Sequence, residues 1–240
     1  MTIKSIWLRK IHKWVGLVIG LQFLVWAISG TAMALLDMDE VAGGEKAAPV
    51  PAAPPSANSL AWTTVRNALG AAPVESLRLR PLAGRTVIEV GTGGQTRLFD
   101  AATGKTVIID EAAARAIAED AHPEGARAAS AVPLRELSLA VREHELPIWQ
   151  VDFKDEKNSS YFVSATTGHL LERRNDTWRW WDFFWMLHNM DYSNRTSFNH
   201  PLIVFVGFAM AWLAVTGFWL LFRTMWRHDP STVRSWLRKA

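Results

Sequence analysis

The chain has 240 residues, 49% of them hydrophobic and 20% charged, with a formal net charge of +3; averages like these suit one or two ordinary soluble domains. There is no cysteine, which excludes disulfides, iron–sulfur clusters, thiolate zinc sites, a cysteine nucleophile and c-type haem attachment. Redox or metal chemistry would therefore rest on histidine, methionine or carboxylates, and thirteen Trp against two Tyr show that the apolar residues are not evenly spread.

From Trp14 to Leu36 the chain runs 23 residues without a charge, and from Pro201 to Phe222 it runs 22. At about 1.5 Å per helical residue, each crosses a hydrocarbon core of about 30 Å, so both read as transmembrane helices. Lys4, Arg9, Lys10 and Lys13 precede the first run; Arg223, Arg227, Arg234, Arg238 and Lys239 follow the second. The positive-inside rule puts both termini in the cytoplasm. Those flanks hold nine of the 26 basic residues, leaving 17 positive against 22 negative charges elsewhere. The basic excess thus belongs to membrane anchoring and does not suggest nucleic-acid binding. Ala32-Met33-Ala34 resembles a signal-peptide cleavage site, but the apolar run is too long for a typical signal core and reads as a retained anchor.

A first segment, 1–36, carries the cytoplasmic N-terminus and first span. Pro49, Pro51, Pro54 and Pro55 make 37–59 a linker. Next comes a unit over 60–110: a helix from Leu60 to Leu69 stopped by Gly70, then strands at Val74 to Leu79, Thr86 to Val90 and Thr96 to Phe99. A second unit, 111–174, repeats the plan. Asp110 caps a helix over Glu111 to Ala121, with strands at Ile148 to Phe153 and Tyr161 to Ser164 and a helical insertion at Leu134 to Leu146. The stretch from Phe99 to Val107 parallels that from Val163 to Leu171, which marks an internal duplication. Residues 175–200 form a Trp-rich interfacial segment in which Trp178, Trp181, Trp185 and His188 share a helix face. The second span at 201–222 and a basic tail at 223–240 close the chain.

This order resembles the PepSY-associated transmembrane family: Arg9-x-x-His12-x-x-x-Gly16 opening a span, turns at Asp100-Ala-Ala-Thr-Gly104 and Ala165-Thr-Thr-Gly168, Leu187-His188 before a second span, and Ala214-Val-Thr-Gly217 within it. The resemblance implies an α+β membrane protein whose two transmembrane helices flank a periplasmic domain of two tandem PepSY-like helix-plus-antiparallel-sheet units. It would sit in the bacterial inner membrane with cytoplasmic termini. Larger members with four spans include haem-bearing ferric-siderophore reductases. That implies noncovalent haem b, one or two per functional unit, a ferric iron or ferric-siderophore acceptor, and a quinol or reductase as electron donor. With only two spans, a homodimer or a complex with another membrane protein is expected.

Under this resemblance the haem-ligand candidates are His12, His188, His200 and His228. His12 shares a stripe with Gly16, Gly20, Ala27 and Gly30, which could seat a flat macrocycle or mark a helix contact. His200 adjoins Pro201 and could equally be a cap. Topology sorts them into a cytoplasmic pair, His12 with His228, and a periplasmic pair, His188 with His200. Either two haems span the membrane, or one haem draws on His12, His188 and His200 across a dimer, with His228 a solvated interfacial residue. Met186 and Met190 read as packing or lipid contacts. His122, His144 and His169 read as surface or turn residues, and Glu143-His144-Glu145 as a cation site or a solvated face. Gly91-Thr92-Gly93-Gly94 fails the dinucleotide fingerprint, and no hydrolase or phosphate-loop motif occurs. A second expectation is a membrane-tethered interaction module that binds or restrains a peptidase or other partner without redox activity.

Overall fold

The computed structural model describes residues 3–44, 60–193, 195, 197 and 199–228, with side chains for those from 6 to 224. The Pro-rich stretch at 45–59 and the tail at 229–240 lie outside the described residues. The elements are α1 (Ile3–Leu35), α2 (Met38–Val41), α3 (Trp62–Leu69), β1 (Ser76–Leu82), β2 (Arg85–Thr92), β3 (Gln95–Asp100), α4 (Glu111–Asp120) and β4 (Ala128–Pro133). After a 3₁₀ turn at Leu139–Val141 come β5 (Ile148–Phe153), β6 (Ser160–Ser164), β7 (Leu170–Arg174), α5 (Asp176–Asn189) and α6 (Pro201–His228). The chain divides into two compact units: residues 1–35 with 181–240, and residues 36–180.

In the first unit α1 and α6 pack together, with Ile19 and Val206 buried and Val15, Ile203, Ala209, Met210 and Leu213 around them. Ile6–Leu35 and Pro201–Thr224 are long and apolar enough to cross a membrane, and 11% of each apolar window is buried inside the chain. Lipid contact requires such apolar exposure, whereas a soluble core helix hides most of its surface.

The second unit holds two antiparallel sheets, ordered β1-β2-β3 and β4-β5-β6-β7. Alternation sorts their side chains. On the first sheet Ile88, Val90 and Phe99 face Val65 and Leu69 of α3. Leu82, Val87 and Leu98, from the other face, join α4 (Ala114, Ile117, Ala118) and Val151, Phe153, Tyr161 and Val163 of the second sheet in one larger core. Asp110 caps α4 as expected, accepting from the Ala113 N–H at 2.9 Å.

The duplication extends to the atoms of its turns. The Gly104 N–H donates to the Asp100 carbonyl at 2.8 Å, and the Gly168 N–H to the Ser164 carbonyl at 2.8 Å. Both glycines have left-handed φ, +69° and +68°. Gly104 also lies where a Cβ would meet the Thr64 Cβ at 2.6 Å, so the turn seats directly on its own unit's helix.

Three expectations change. The segment from Leu134 to Leu146 is not a helix. The Leu134 N–H, just past β4, is bonded to the Ile148 carbonyl, and in the 3₁₀ turn Val141 packs with Ile148 and Phe162. These residues cover one face of the second sheet as a strap. β4 and β7 are strands that alternation alone did not reveal, because β4 (AASAVP) and β7 (LLERR) lack the β-branched and aromatic content that marks strands. The supposed start of the linker forms α2, capped by Asp37. It is held by Asn175 Nδ2 donating to the Glu40 carbonyl at 2.8 Å and by Lys157 against Glu40 at 2.7 Å.

Candidate functional site

The described membrane unit brings each of two histidines onto a hydroxyl-glycine pair of a neighbouring helix. His12 of α1 meets α6: its Nδ1 lies 2.7 Å from Thr216 Oγ1, and Gly217 leaves the space beside its Cε1, where a Cβ would stand 3.5 Å away. His188 of α5 meets α1: its Nδ1 lies 3.1 Å from the Trp26 carbonyl and 3.3 Å from Ser29 Oγ. Its ring stacks on Trp26 at 4.7 Å. A Cβ on Gly30 would come within 2.9 Å of its Cε1.

Hydrogen-bond partners set which ring nitrogen can carry the proton. Thr216 Oγ1 lies 2.8 Å from the Trp212 carbonyl of its own helix, and when it donates there it accepts from His12 Nδ1. Ser29 Oγ likewise donates to the Trp26 carbonyl at 3.0 Å, and that carbonyl accepts from His188 Nδ1. The neutral His188 ring therefore carries its proton on Nδ1 and a lone pair on Nε2, and the neutral His12 ring does the same when Thr216 is bonded back to its own helix. Neither Nε2 has a hydrogen-bond partner among the described residues.

His200 is turned the other way. Its Nε2 donates to the Asn189 carbonyl at 2.6 Å, satisfying one of the carbonyls left open at the end of α5. This ties the start of α6 to the end of α5, and in the segment between them Arg195 pairs with the buried Asp182 carboxylate of α5 at 2.6 Å. The His228 side chain lies outside the described ones. The backbone of α6 carries its position twelve residues past Thr216, about 18 Å along the helix. His12 and the α1 residues that hold His188 are separated by fourteen to eighteen positions, about 21–27 Å, so the two rings occupy opposite ends of α1 and cannot share one iron.

The glycine stripe on α1 is divided. Gly30 is filled by His188, Gly16 faces Leu213 at 3.8 Å, and Gly20 is open, with nothing within 4 Å. Met190 packs with Ile19 and Val206. Trp181 and Trp185 stack at 6.2 Å. Trp178, expected among the interfacial rings, is instead buried in the soluble unit beneath the Arg174 guanidinium, 4.4 Å away.

The three histidines of the soluble unit all meet carboxylates: His122 with Asp155 at 3.2 Å, His144 with Glu172 at 2.9 Å, and His169 with Glu89 at 3.3 Å. His122 is not the surface residue its sequence context suggested. It is 5% exposed and stacks on Tyr161 with Phe153 alongside. Burial would raise the Asp155 carboxyl, but hydrogen bonds from Ser159 and His122 outweigh it and hold it below the ordinary value. Glu89 is lowered against its burial in the same way, by Arg80 and His169. No group of three or more His, Cys, Asp or Glu that could hold a metal ion occurs among the described residues, and His144 is spent on Glu172 rather than on a cation site with Glu143 and Glu145.

Sequence reasoning missed Ser29 and Thr216. The signal was present as a repeated tetrapeptide, Ala27-Ile28-Ser29-Gly30 in α1 and Ala214-Val215-Thr216-Gly217 in α6, of which only the second copy drew notice.

Two apolar helices around a duplicated α+β domain define a membrane-anchored protein. Residues 9–239 match the profile of the PepSY-associated TM region, and the chain belongs to that family. No curated protein and no solved structure matches it.

Proposed function

We propose that this chain is a haem b protein of the bacterial cytoplasmic membrane that passes electrons to a periplasmic ferric acceptor, ferric iron or a ferric siderophore. The observation that supports the reading is the shared presentation of His12 and His188: Nδ1–H anchored to a helix and Nε2 left as the lone-pair nitrogen, the form in which imidazole binds iron. Haem, when bound, supplies a one-electron carrier, with a potential set by its ligands and by the dielectric around it. The chain's part is to hold an imidazole near each end of α1 within an apolar sheath. His12 and His188 lie too far apart to ligate together, so each is completed by a ligand from a second copy or a partner. His200, with Nε2 engaged by Asn189, offers only Nδ1. A hard-oxygen chelator holds iron less tightly once the metal is reduced, which releases it.

Detergent-purified protein from haem-replete cells is expected to show a Soret band and α bands that sharpen on dithionite reduction. His12→Ala and His188→Ala should each remove part of the absorbance. Colourless wild-type protein would overturn the proposal.

The soluble unit favours one second reading, a tethered interaction module. β1 is an edge strand of its sheet, with Leu77 and Leu79 exposed, and edges of this kind accept an added strand from a partner. Co-purification of one stoichiometric partner with colourless protein would favour it.

A further inference from the structure

The two membrane histidines come from different helices and point at different helices, yet they are received by the same local chemistry. We infer that Ala27-Ile28-Ser29-Gly30 and Ala214-Val215-Thr216-Gly217 are two copies of one imidazole receptor, in which Ser29 and Thr216 are positioning residues that hold Nδ1–H and turn Nε2 outward. The identity of what Nε2 then binds rests on the haem reading; the positioning itself does not.

Each part of the receptor has a separate task. In a helix a Ser or Thr hydroxyl donates back to a carbonyl three or four residues earlier, and both do so here: Ser29 to Trp26 and Thr216 to Trp212. With its proton spent, the hydroxyl oxygen becomes an acceptor facing away from its own helix. An imidazole arriving from outside can satisfy it only with an N–H, which selects one tautomer. The following glycine removes the Cβ that would keep the ring away. In lipid, where no water competes, a lone acceptor of this kind orients its partner strongly.

The copies differ in a way that predicts unequal effects. His12 has one acceptor, Thr216 Oγ1 at 2.7 Å. His188 has two, the Trp26 carbonyl at 3.1 Å and Ser29 Oγ at 3.3 Å, so the backbone keeps its tautomer when the hydroxyl is lost. The glycines reverse the order. An alanine at Gly30 would press on the His188 ring at 2.9 Å, whereas one at Gly217 would make ordinary contact with His12 at 3.5 Å.

The test is nitrogen NMR of histidine-labelled full-length protein in detergent, read beside the haem spectrum and reduction potential. Thr216→Val, which keeps the side-chain shape, should release the His12 tautomer and weaken metal binding at that site by roughly 10- to 100-fold, while Thr216→Ser restores both. Ser29→Ala should leave the His188 tautomer in place and change its site less. Gly30→Ala should disturb His188, and Gly217→Ala should leave His12 as it is. An unchanged His12 tautomer in Thr216→Val, or Thr216→Ser behaving like Thr216→Val, would overturn the inference. Colourless wild-type protein with the expected tautomers would sink the haem reading and leave the receptor standing.

Discussion

The six histidines with described side chains fall into two groups that the fold treats in opposite ways. In the soluble unit His122, His144 and His169 each meet a carboxylate. In the membrane unit His12, His188 and His200 meet only hydroxyl and carbonyl oxygens. A carboxylate partner makes the ring one half of a hydrogen-bonded pair. An acceptor at Nδ1 orients the ring and leaves Nε2 open. The partner a histidine is given therefore says more about its task than its neighbours in sequence.

The contrast can be broken by substitution. His122→Ala should cost about 3–5 kcal/mol, because it empties a site packed by Phe153 and Tyr161 and leaves the Asp155 carboxylate with one donor fewer in a largely buried place. Thermal unfolding of the full-length protein checks this, and the environments of His12 and His188 should be unaffected. A change at the membrane histidines as large as that from His188→Ala would erase the distinction.

Gly104→Ala tests the duplicated turn. The left-handed φ and the contact with Thr64 predict about 1–3 kcal/mol of destabilisation, again with the membrane histidines untouched.

Acid should act on the soluble unit first. Asp155 and Glu89 have folded pKa values below their ordinary ones. The stability they contribute is complete above the ordinary carboxylate values, by about pH 5, and declines as pH falls through the lowered folded values. Asp155→Asn should flatten part of that decline in circular-dichroism melts. A stability that rose instead on going from about pH 5 to about pH 3 would contradict the sign.

The smallest effect is expected at Arg127, whose bond to Glu119 is 2.7 Å long but whose side chain is 89% exposed. Arg127→Ala should change stability by less than about 1 kcal/mol.

Much of the plan was legible in the chain. Two charge-free runs exceed the bilayer thickness, and the glycines at 104 and 168 mark conformations that other residues rarely adopt, so spans, duplication and turns could be read locally. α4 was legible for the same reason, since Asp110 and the helix it caps lie next to each other. The segment from Leu134 to Leu146 was not, because its conformation answers to Ile148 and Phe162 on a sheet face elsewhere. Trp178 read as one of a run of interfacial rings, and its burial and its contact with Arg174 became visible only in the folded chain. His122 is the turn residue its context suggested, with the Gly125 N–H on its carbonyl, but only the packing of Asp155, Phe153 and Tyr161 around it makes it buried.

Sequence by itself determined that this is a two-span membrane protein with a duplicated α+β domain, because hydrophobic length, charge and turn chemistry act between residues close in the chain. It also set out the histidines as the side chains able to ligate. Tertiary structure alone decided which way each ring faces: His12 reaches across 204 positions to Thr216 and His188 across 159 to Ser29. A tautomer depends on what the other nitrogen touches, and that contact exists only once the helices are packed.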